Sequence, residues 1–282
     1  MDFTDAVVDS YRGTPDPRLR AIFESLTRHL HAFVRETRPS IAEWESAIRF
    51  LTEVGQTCDD TRQEFILLSD VLGVSMLVET VNSSEGATES TVLGPFHGVE
   101  SPVRALGDSI DLLDSEKQCV VTGRVVNTDG DPIPDAAVDV WQCSEDGFYD
   151  VEQPGVQPPG NGRGLFRTDS DGRFRFRTVV PSHYPIPTDG PVGRLLAAAA
   201  RDTFRPAHIH FIASADGYES VTTHCFVRDS PYLDTDAVFA VKESLIRDFD
   251  MSTDAAEAER LGVRTPFYRV EFDISLPTSS GS

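Results

Sequence analysis

The spacing of hydrophobic residues changes partway along the chain. Up to about residue 100, apolar side chains recur every three or four positions, as on one face of an α-helix. From about residue 117 they alternate with polar ones, as on a strand with one buried face. The pattern predicts a mainly β protein with an α-helical N-terminal region, divided into a helical domain over residues 1–103 and a β-sandwich domain over residues 104–282.

Two features of the helical region bear on packing and function. One is an apolar stripe, which packs either within the subunit or against a second copy of it. The other is a helix over about residues 61–81, whose centre at residues 65–74 is apolar nearly all round and is expected to be buried. Asp70 lies inside it, and a buried carboxylate is costly without a partner. From the residues alone, two explanations for Asp70 are equally favoured: its carboxylate forms a hydrogen bond with a neighbouring turn or loop, or it contacts a polar group of a ligand. The stripe comprises Leu19, Ile22, Phe23, Leu26, Leu30 and Phe33.

Local signals add a helix start and a loop to this region. Ser40 and Glu43 have the spacing of a capping box that begins a helix. Residues 82–103 are rich in Ser, Gly and Pro and read as a loop. Its apolar residues 92–96, Val-Leu-Gly-Pro-Phe, either seal a core edge or line a pocket.

The β region is expected to be a sandwich, because short alternating segments are separated by turn signals. A helix is predicted within it at residues 236–248. Residues 150–164 and 181–193 form loops longer than a compact sandwich needs, and such loops often carry function. The strands are predicted at residues 120–125, 137–141, 173–177, 208–213, 220–227 and 267–274.

Composition narrows the classes of function. Hydrophobic residues make up 39% and charged residues 25% of the 282 positions, as in a globular protein. The net charge of −21 disfavours nucleic acid and anionic membrane surfaces as partners. The four cysteines form no Cys-x-x-Cys pair, and the chain shows no signal peptide and no apolar run long enough to span a bilayer. A cytoplasmic protein with reduced thiols is therefore expected.

The stretch at residues 205–211, Arg-Pro-Ala-His-Ile-His-Phe, is the strongest candidate for chemistry. On a strand, His208 and His210 point to one face and can bind one metal ion, although such a pair is about as often two ordinary histidines. Tyr149 and Tyr184 each flank a long loop, and each alone is more simply a buried ring with a hydrogen-bonded hydroxyl. Together with two imidazoles and the nearby arginine, two phenolates would suit iron(III). Such a site would be net positive and would attract an anionic ortho-diphenol.

These residues resemble the motifs of a known family. Residues 184–187 (Tyr-Pro-Ile-Pro), residues 189–193 (Asp-Gly-Pro-Val-Gly) and the 205–210 stretch are similar to those of the intradiol ring-cleavage dioxygenases. These are non-haem iron(III) enzymes that open catechols between the two hydroxyl carbons. The resemblance covers nearly the whole chain and implies one Fe(3+) per subunit, with O2 as co-substrate.

The resemblance also implies roles for individual residues. Tyr184 would leave the metal and take a substrate proton, and Arg205 would lie against the substrate ring and stabilise charge there. These two are the implied catalytic residues. The implied iron ligands are Tyr149, Tyr184, His208 and His210.

Residues 67–76, 89–96 and 236–239 resemble the hydroxyquinol-cleaving members of the family. They imply cleavage of hydroxyquinol (1,2,4-trihydroxybenzene) to 3-hydroxy-cis,cis-muconate, equivalent to maleylacetate. Asp70 would accept a hydrogen bond from the third hydroxyl, so that a substrate lacking it is penalised. The implied substrate-binding residues are Leu67, Asp70, Val92, Leu93, Gly94, Pro95, Phe96, Ile186, Pro187, Arg205 and Val238.

Two further expectations concern His224 and assembly. His224 stands where catechol-cleaving relatives tend to carry glutamine; it is interpreted as a sandwich histidine with satisfied hydrogen bonds and is left out of the catalytic set. The resemblance implies a homodimer formed through the N-terminal helices, with a phospholipid between the subunits.

Three alternatives stay open. A catechol or chlorocatechol 1,2-dioxygenase, giving cis,cis-muconates, would share the iron site, and Asp70 argues against it. A zinc hydrolase using His208, His210 and a carboxylate would be colourless, whereas phenolate bound to iron(III) absorbs visible light. A non-catalytic carrier of small aromatic compounds would bind a catechol without consuming oxygen.

Overall fold

The computed structural model describes residues 2–59, 62–97 and 100–279. The chain divides into two compact units, of which the first ends at Glu53 and the second begins at Val54. The boundary expected at residue 103 stays a prediction. No helix in the described ranges is both long enough and apolar enough to cross a membrane.

The first unit is helical. It contains α1 (Phe3–Asp9), α2 (Pro17–Thr37) and most of α3 (Ile41–Thr57). Asp16 begins α2 by accepting hydrogen bonds from the N–H groups of Arg18 and Leu19 at 2.8 and 3.2 Å. The apolar stripe lies on α2, and its six side chains are 39–58% exposed.

The capping box at the start of α3 is confirmed. The Ser40 N–H donates to Glu43 Oε2 at 2.7 Å, and the Glu43 N–H donates to Ser40 Oγ at 3.3 Å. The two bonds satisfy donors that the first helical turn would leave free.

The second unit opens with α4 (Glu64–Val71) and α5 (Val74–Val81). The single helix predicted over residues 61–81 is therefore wrong, and residue 61 lies outside the described residues. Gly73 separates the two helices because its φ of +71° is left-handed. The burial expected for residues 65–74 is also wrong, since Phe65 and Leu72 are 48% and 59% exposed.

Two five-stranded sheets follow, so the expected β-rich fold with an N-terminal helical region is confirmed. The strands are β1 (Gln118–Asn127), β2 (Ala137–Trp141), β3 (Arg163–Arg167), β4 (Arg173–Val179), β5 (Tyr184–Pro185), β6 (Phe204–Arg205), β7 (His208–Ser214), β8 (Val221–Val227), β9 (Ile246–Arg247), β10 (Asp250–Ser252), β11 (Phe267–Glu271) and β12 (Ile274–Leu276). One sheet has the order β10-β11-β1-β12, with β4 also pairing with β1; the other has the order β3-β2-β7-β8-β9. Strands β5 and β6 form a separate pair.

Aromatic rings fill the space between the two sheets. Phe211 on β7 lies 6.1 Å from Phe174 on β4 and 5.1 Å from Phe272, between ring centroids. Because residues alternate along β7, this packing turns His208 and His210 toward the other face of the sheet.

The helix predicted at residues 236–248 is wrong. This segment contains turns, a 3-10 turn at Glu243–Leu245 and strand β9. The Asp236 side chain accepts from the backbone N–H of Val238 and Ala240 at 3.4 and 3.0 Å, which favours a turn over a helix. The structure adds α6 (Pro191–Ala198) and α7 (Ala255–Leu261), which the sequence reading missed.

Candidate active site

The histidine pair lies in a row of rings across the second sheet. The strand register pairs His210 with Trp141 on β2 and with His224 on β8. The rings of Trp141 and His224 lie 4.5 and 4.2 Å from that of His210, between centroids. Nitrogens of His208, His210 and His224 all lie within 4.8 Å of one another, and this buried cluster could hold a metal ion.

Two loops bring the tyrosines to this face. Tyr184 on β5 pairs with Arg205 on β6, so the two residues are cross-strand neighbours. Tyr149 follows Gly147, whose φ is +84° and whose missing Cβ would lie 3.1 Å from the carbonyl oxygen of His183. Only glycine allows this close approach of the two loops without a shift of the backbone.

A buried ion pair holds the loop that begins after Tyr149. Arg163 Nε donates to Asp150 Oδ1 at 2.8 Å, and the Gly160 N–H donates to Asp150 Oδ2 at 2.9 Å. Asp150 and Arg163 are both buried, so the loop is anchored on the sheet rather than free at the surface.

Four donor atoms of the expected iron ligands converge. Tyr149 Oη lies 3.1 Å from both Tyr184 Oη and His210 Nε2. His208 Nε2 lies 3.0 Å from His210 Nε2 and 3.4 Å from Tyr184 Oη. With metal–ligand bonds of about 2.1 Å, adjacent ligand atoms are about 3.0 Å apart in an octahedron and about 3.4 Å apart in a tetrahedron. The four side chains therefore fit a single ion.

The protonation of these groups also fits a metal. Burial, followed by the Arg205 charge, lowers the pKa of His208, and burial likewise lowers that of His210, so both imidazoles are neutral. The His208 Nδ1–H donates to the Pro206 carbonyl at 2.6 Å, which leaves Nε2 free to bind an ion. Burial raises the pKa of Tyr184 to about 12 and that of Tyr149 well above its ordinary value. The phenols are thus protonated until a cation displaces the protons.

Arg205 is buried beside the four donors. Its Nε donates to Asp236 Oδ1 at 3.2 Å, its Nη1 lies 3.3 Å from His208 Nε2, and its Nη2 lies 3.4 Å from His224 Nε2. The interpretation of His224 as a satisfied histidine fits these contacts, but the residue lies at the site itself. The sequence contains a signal for this position of His224. If β7 and β8 form a hairpin whose turn is centred on Gly217, residue 210 pairs with residue 224, as the structure shows.

The segment at residues 91–97, here called the pocket strap, lies over the donors. A Cβ on Gly94 would lie 3.2 Å from Cε1 of His210. The Phe96 ring stacks on Tyr149 with centroids 4.4 Å apart. His97 Nε2 is 3.0 Å from Asp139 Oδ2, and its ring lies 4.3 Å from that of Trp141, between centroids.

Asp70 on α4 interacts electrostatically with this site. Burial raises the pKa of its carboxyl, while the Ser75 side chain and the Arg205 charge act in the opposite direction. Its Oδ1 atom is buried and has no hydrogen-bond partner among the residues that the structure describes. A neighbouring turn therefore satisfies this carboxylate only in part.

The other residues expected in the substrate pocket differ in exposure. Leu67 is one turn from Asp70 on α4. Leu93 is 45% exposed, and Pro95 and Pro187 are half-buried. The fully buried members are Leu67, Val92, Ile186 and Val238.

Two family models cover most of the chain. A model described as catechol dioxygenase N terminus matches residues 16–90, and one described as dioxygenase matches residues 103–277. The hydroxyquinol 1,2-dioxygenase of Rhizobium sp. (strain MTP-10005) is 50% identical over 275 residues, which cover 96% of this chain and 93% of that protein. The chain belongs to the intradiol ring-cleavage dioxygenases.

Two more members of the family are similar over nearly their full length. The 6-chlorohydroxyquinol 1,2-dioxygenase of Cupriavidus pinatubonensis is 48% identical, with 98% of this dioxygenase and 96% of the relative covered. The crystal structure of hydroxyquinol 1,2-dioxygenase from Pseudomonas putida DLL-E4 superposes with a TM-score of 0.88 at 45% identity, covering 98% of this dioxygenase and 97% of that chain. The family depends on a metal, and the buried histidine cluster could hold one in this dioxygenase.

Proposed function

We propose that this dioxygenase cleaves hydroxyquinol with O2 between its adjacent hydroxyl carbons, giving 3-hydroxy-cis,cis-muconate or its tautomer maleylacetate. The observation that carries the choice of substrate is the buried Asp70 Oδ1, which has no partner within the described ranges. The third hydroxyl of hydroxyquinol would supply a donor, whereas catechol would leave this oxygen unpaired. The names of relatives that are 45–50% identical support the same substrate.

The proposed metal is iron(III), one per subunit, held by Tyr149, Tyr184, His208 and His210. Phenolate oxygen is a hard anionic donor and imidazole also suits iron, so this donor set favours the trivalent ion over zinc. When bound, the ion supplies Lewis-acid chemistry by drawing electron density from the bound diolate.

The side chains around the donors would perform proton transfer and charge stabilisation. A diphenol that binds through both oxygens must lose two protons, and in this proposal Tyr184 Oη takes one of them. Because burial raises the pKa of Tyr184 to about 12, its phenolate would be a strong base toward a substrate hydroxyl. Arg205, fixed by Asp236, would stabilise negative charge that develops on the substrate ring.

The remaining assignments belong to the same proposal. The substrate-binding residues retain the roles that the family resemblance implies. The exposed stripe of α2 would form a homodimer and border a bound phospholipid, and the protein would act in the cytoplasm. The proposed pocket comprises Leu67, Asp70, Val92, Leu93, Gly94, Pro95, Phe96, Ile186, Pro187, Arg205 and Val238.

The test is oxygen uptake by iron-loaded protein with hydroxyquinol and catechol at equal concentration. An enzyme-free control is required, because hydroxyquinol oxidises spontaneously. A strong preference for hydroxyquinol, in protein that shows a visible phenolate-to-iron band, is the expected result. A preference for catechol would overturn the substrate assignment, and a colourless protein that holds zinc would overturn the metal. No uptake with either substrate, in protein shown to contain iron, would indicate a carrier.

A further inference from the structure

Three buried side chains form a hydrogen-bonded series behind the candidate iron ligands. Thr91 Oγ1 is within hydrogen-bond distance of His224 Nδ1, and His224 Nε2 is 3.4 Å from Arg205 Nη2. Each of the three is at most 2% exposed. The Thr91 N–H donates to the Thr222 carbonyl at 2.8 Å, so the far end of the series is fixed to the backbone beside β8.

The chemistry of arginine sets the direction of every bond in the series. A guanidinium carries only donors, so His224 Nε2 must be the acceptor and must be free of a proton. In a neutral imidazole the proton then lies on Nδ1, which donates to Thr91 Oγ1. Thr91 Oγ1 thus accepts the N–H of the tautomer that Arg205 requires, and so holds the His224 ring in that orientation.

The arrangement leaves Arg205 with two dedicated acceptors. Its Nη1 lies 3.3 Å from His208 Nε2, but that nitrogen cannot accept a hydrogen bond when it binds a metal. Asp236 then holds Nε and His224 holds Nη2. Two acceptors on different nitrogens fix the rotation of a planar group, which a single contact would leave free.

We propose that His224 is a positioning residue, held by Thr91 in its Nδ1–H tautomer, which orients the Arg205 guanidinium toward the substrate ring. The role rests on the proposed function, in which Arg205 stabilises charge on that ring. The competing role is that of a third imidazole ligand, since nitrogens of His208, His210 and His224 lie within 4.8 Å of one another; the variants below distinguish the two roles.

Substitutions at His224 test the role. His224→Leu removes the acceptor and should lower kcat for hydroxyquinol on the order of a hundredfold, the effect expected of a misplaced catalytic group, with KM little changed. His224→Gln should restore most of kcat, because its amide oxygen can accept from Arg205. In both variants the iron content and the visible band should match the wild type. A crystal structure of metal-loaded His224→Leu, in which His208 Nε2 cannot accept from Arg205, should show the guanidinium displaced.

Thr91 supplies a second test that does not alter the imidazole. Thr91→Val should lower kcat with an unchanged visible band, and Thr91→Ser should restore it. Thr223→Val is the matched control, since Thr223 lies next to His224 but its hydroxyl donates to the Glu89 carbonyl at 2.8 Å.

Several results would overturn the assignment. A normal kcat in His224→Leu would do so, and so would a loss of kcat that is equal in His224→Gln and His224→Leu. A loss of iron or a shifted visible band in His224→Leu would indicate that His224 is a metal ligand. Absence of oxygen uptake by the wild type would instead refute the proposed function. In that case an undisplaced guanidinium in the His224→Leu crystal structure would also refute the positioning role.

Discussion

At the scale of single residues, Asp70 is the side chain that we propose distinguishes hydroxyquinol from catechol. Asp70→Asn keeps the volume of the side chain but replaces a charged acceptor. Since a hydrogen bond to a charged group contributes about 1.5–3 kcal/mol, kcat/KM for hydroxyquinol should fall on the order of tenfold to a hundredfold. Catechol has no third hydroxyl and should be affected much less. Oxygen uptake with both substrates measures the ratio, and an equal loss on both would remove Asp70 from substrate recognition.

The same carboxyl should lower stability at neutral pH. Burial raises the pKa of Asp70 above its ordinary value of 3.8, so the folded protein binds this proton more tightly than the unfolded chain does. Its contribution to stability is therefore full below pH 3.8 and is lost as pH rises through the raised folded pKa. Asp70→Asn should increase the free energy of unfolding at pH 7, and the gain should disappear below the ordinary pKa. Denaturant titrations at the two pH values measure this, and a pH-independent gain would contradict it.

Tyr184 is expected to separate metal binding from turnover. Tyr184→Phe removes one phenolate and the proposed base but leaves Tyr149, His208 and His210. Some iron should remain bound, while kcat should fall about a hundredfold or more, as for loss of a general base. Metal analysis and oxygen uptake test this, with Tyr232→Phe as a control, since Tyr232 packs on Phe204 with ring centroids 4.7 Å apart. A near-normal kcat would exclude the base role.

At the scale of elements, the pocket strap is fastened at its far end by His97 and Asp139. His97→Ala should loosen the strap and raise KM about threefold to tenfold, which is the effect of losing one hydrogen bond. His97→Gln retains a donor near the position of Nε2 and should restore KM. The visible band should not change, because the substitution leaves the iron ligands intact. A fall in kcat with normal KM would indicate instead that the pair acts on the metal ligands through Trp141.

The elements also show how far the sequence alone predicts the fold. Alternation located β1, β2, β4, β7, β8 and β11, and the segment at residues 137–141 matches β2 to the residue. Strands β3, β5, β6, β9 and β10 were not predicted. The errors came from competing local interactions. At Asp236, the side chain accepts a hydrogen bond from a backbone N–H, and a turn forms where a helix was expected. At Gly73, the left-handed backbone conformation divides the predicted helix. Short helices such as α6 and α7 carry too few turns for their periodicity to stand out.

The candidate site was predictable where residues share a strand or carry a family motif. His208 and His210 converge because a strand has a period of two, and the tyrosines were found by their motifs and loops. The position of His224 at the site was missed because it depends on the register between two strands, which periodicity within one strand does not reveal. Thr91 was missed for a related reason: it reaches His224 from 133 positions away in the chain.

At the scale of the whole molecule, net charge would oppose the proposed homodimer and exposed apolar surface would favour it. Each subunit carries a formal net charge of −21, so two copies repel at low ionic strength. The exposed stripe of α2 offers the compensating attraction, because burying its side chains removes apolar surface from water. Association should therefore tighten as salt screens the repulsion, in contrast to a dimer held by ion pairs.

This leads to a prediction for α2. The wild type should sediment as a dimer, and the double substitution Leu26→Glu with Leu30→Glu should yield a monomer, because these side chains are 52% and 53% exposed in the single chain. Val156→Glu is the matched control, since Val156 is 75% exposed but lies in a loop of the second unit. Analytical ultracentrifugation at two salt concentrations, with circular dichroism to verify folding, measures the outcome. A wild type that is monomeric at all salt concentrations, or a double variant that remains dimeric, would show that the stripe is not the dimer surface.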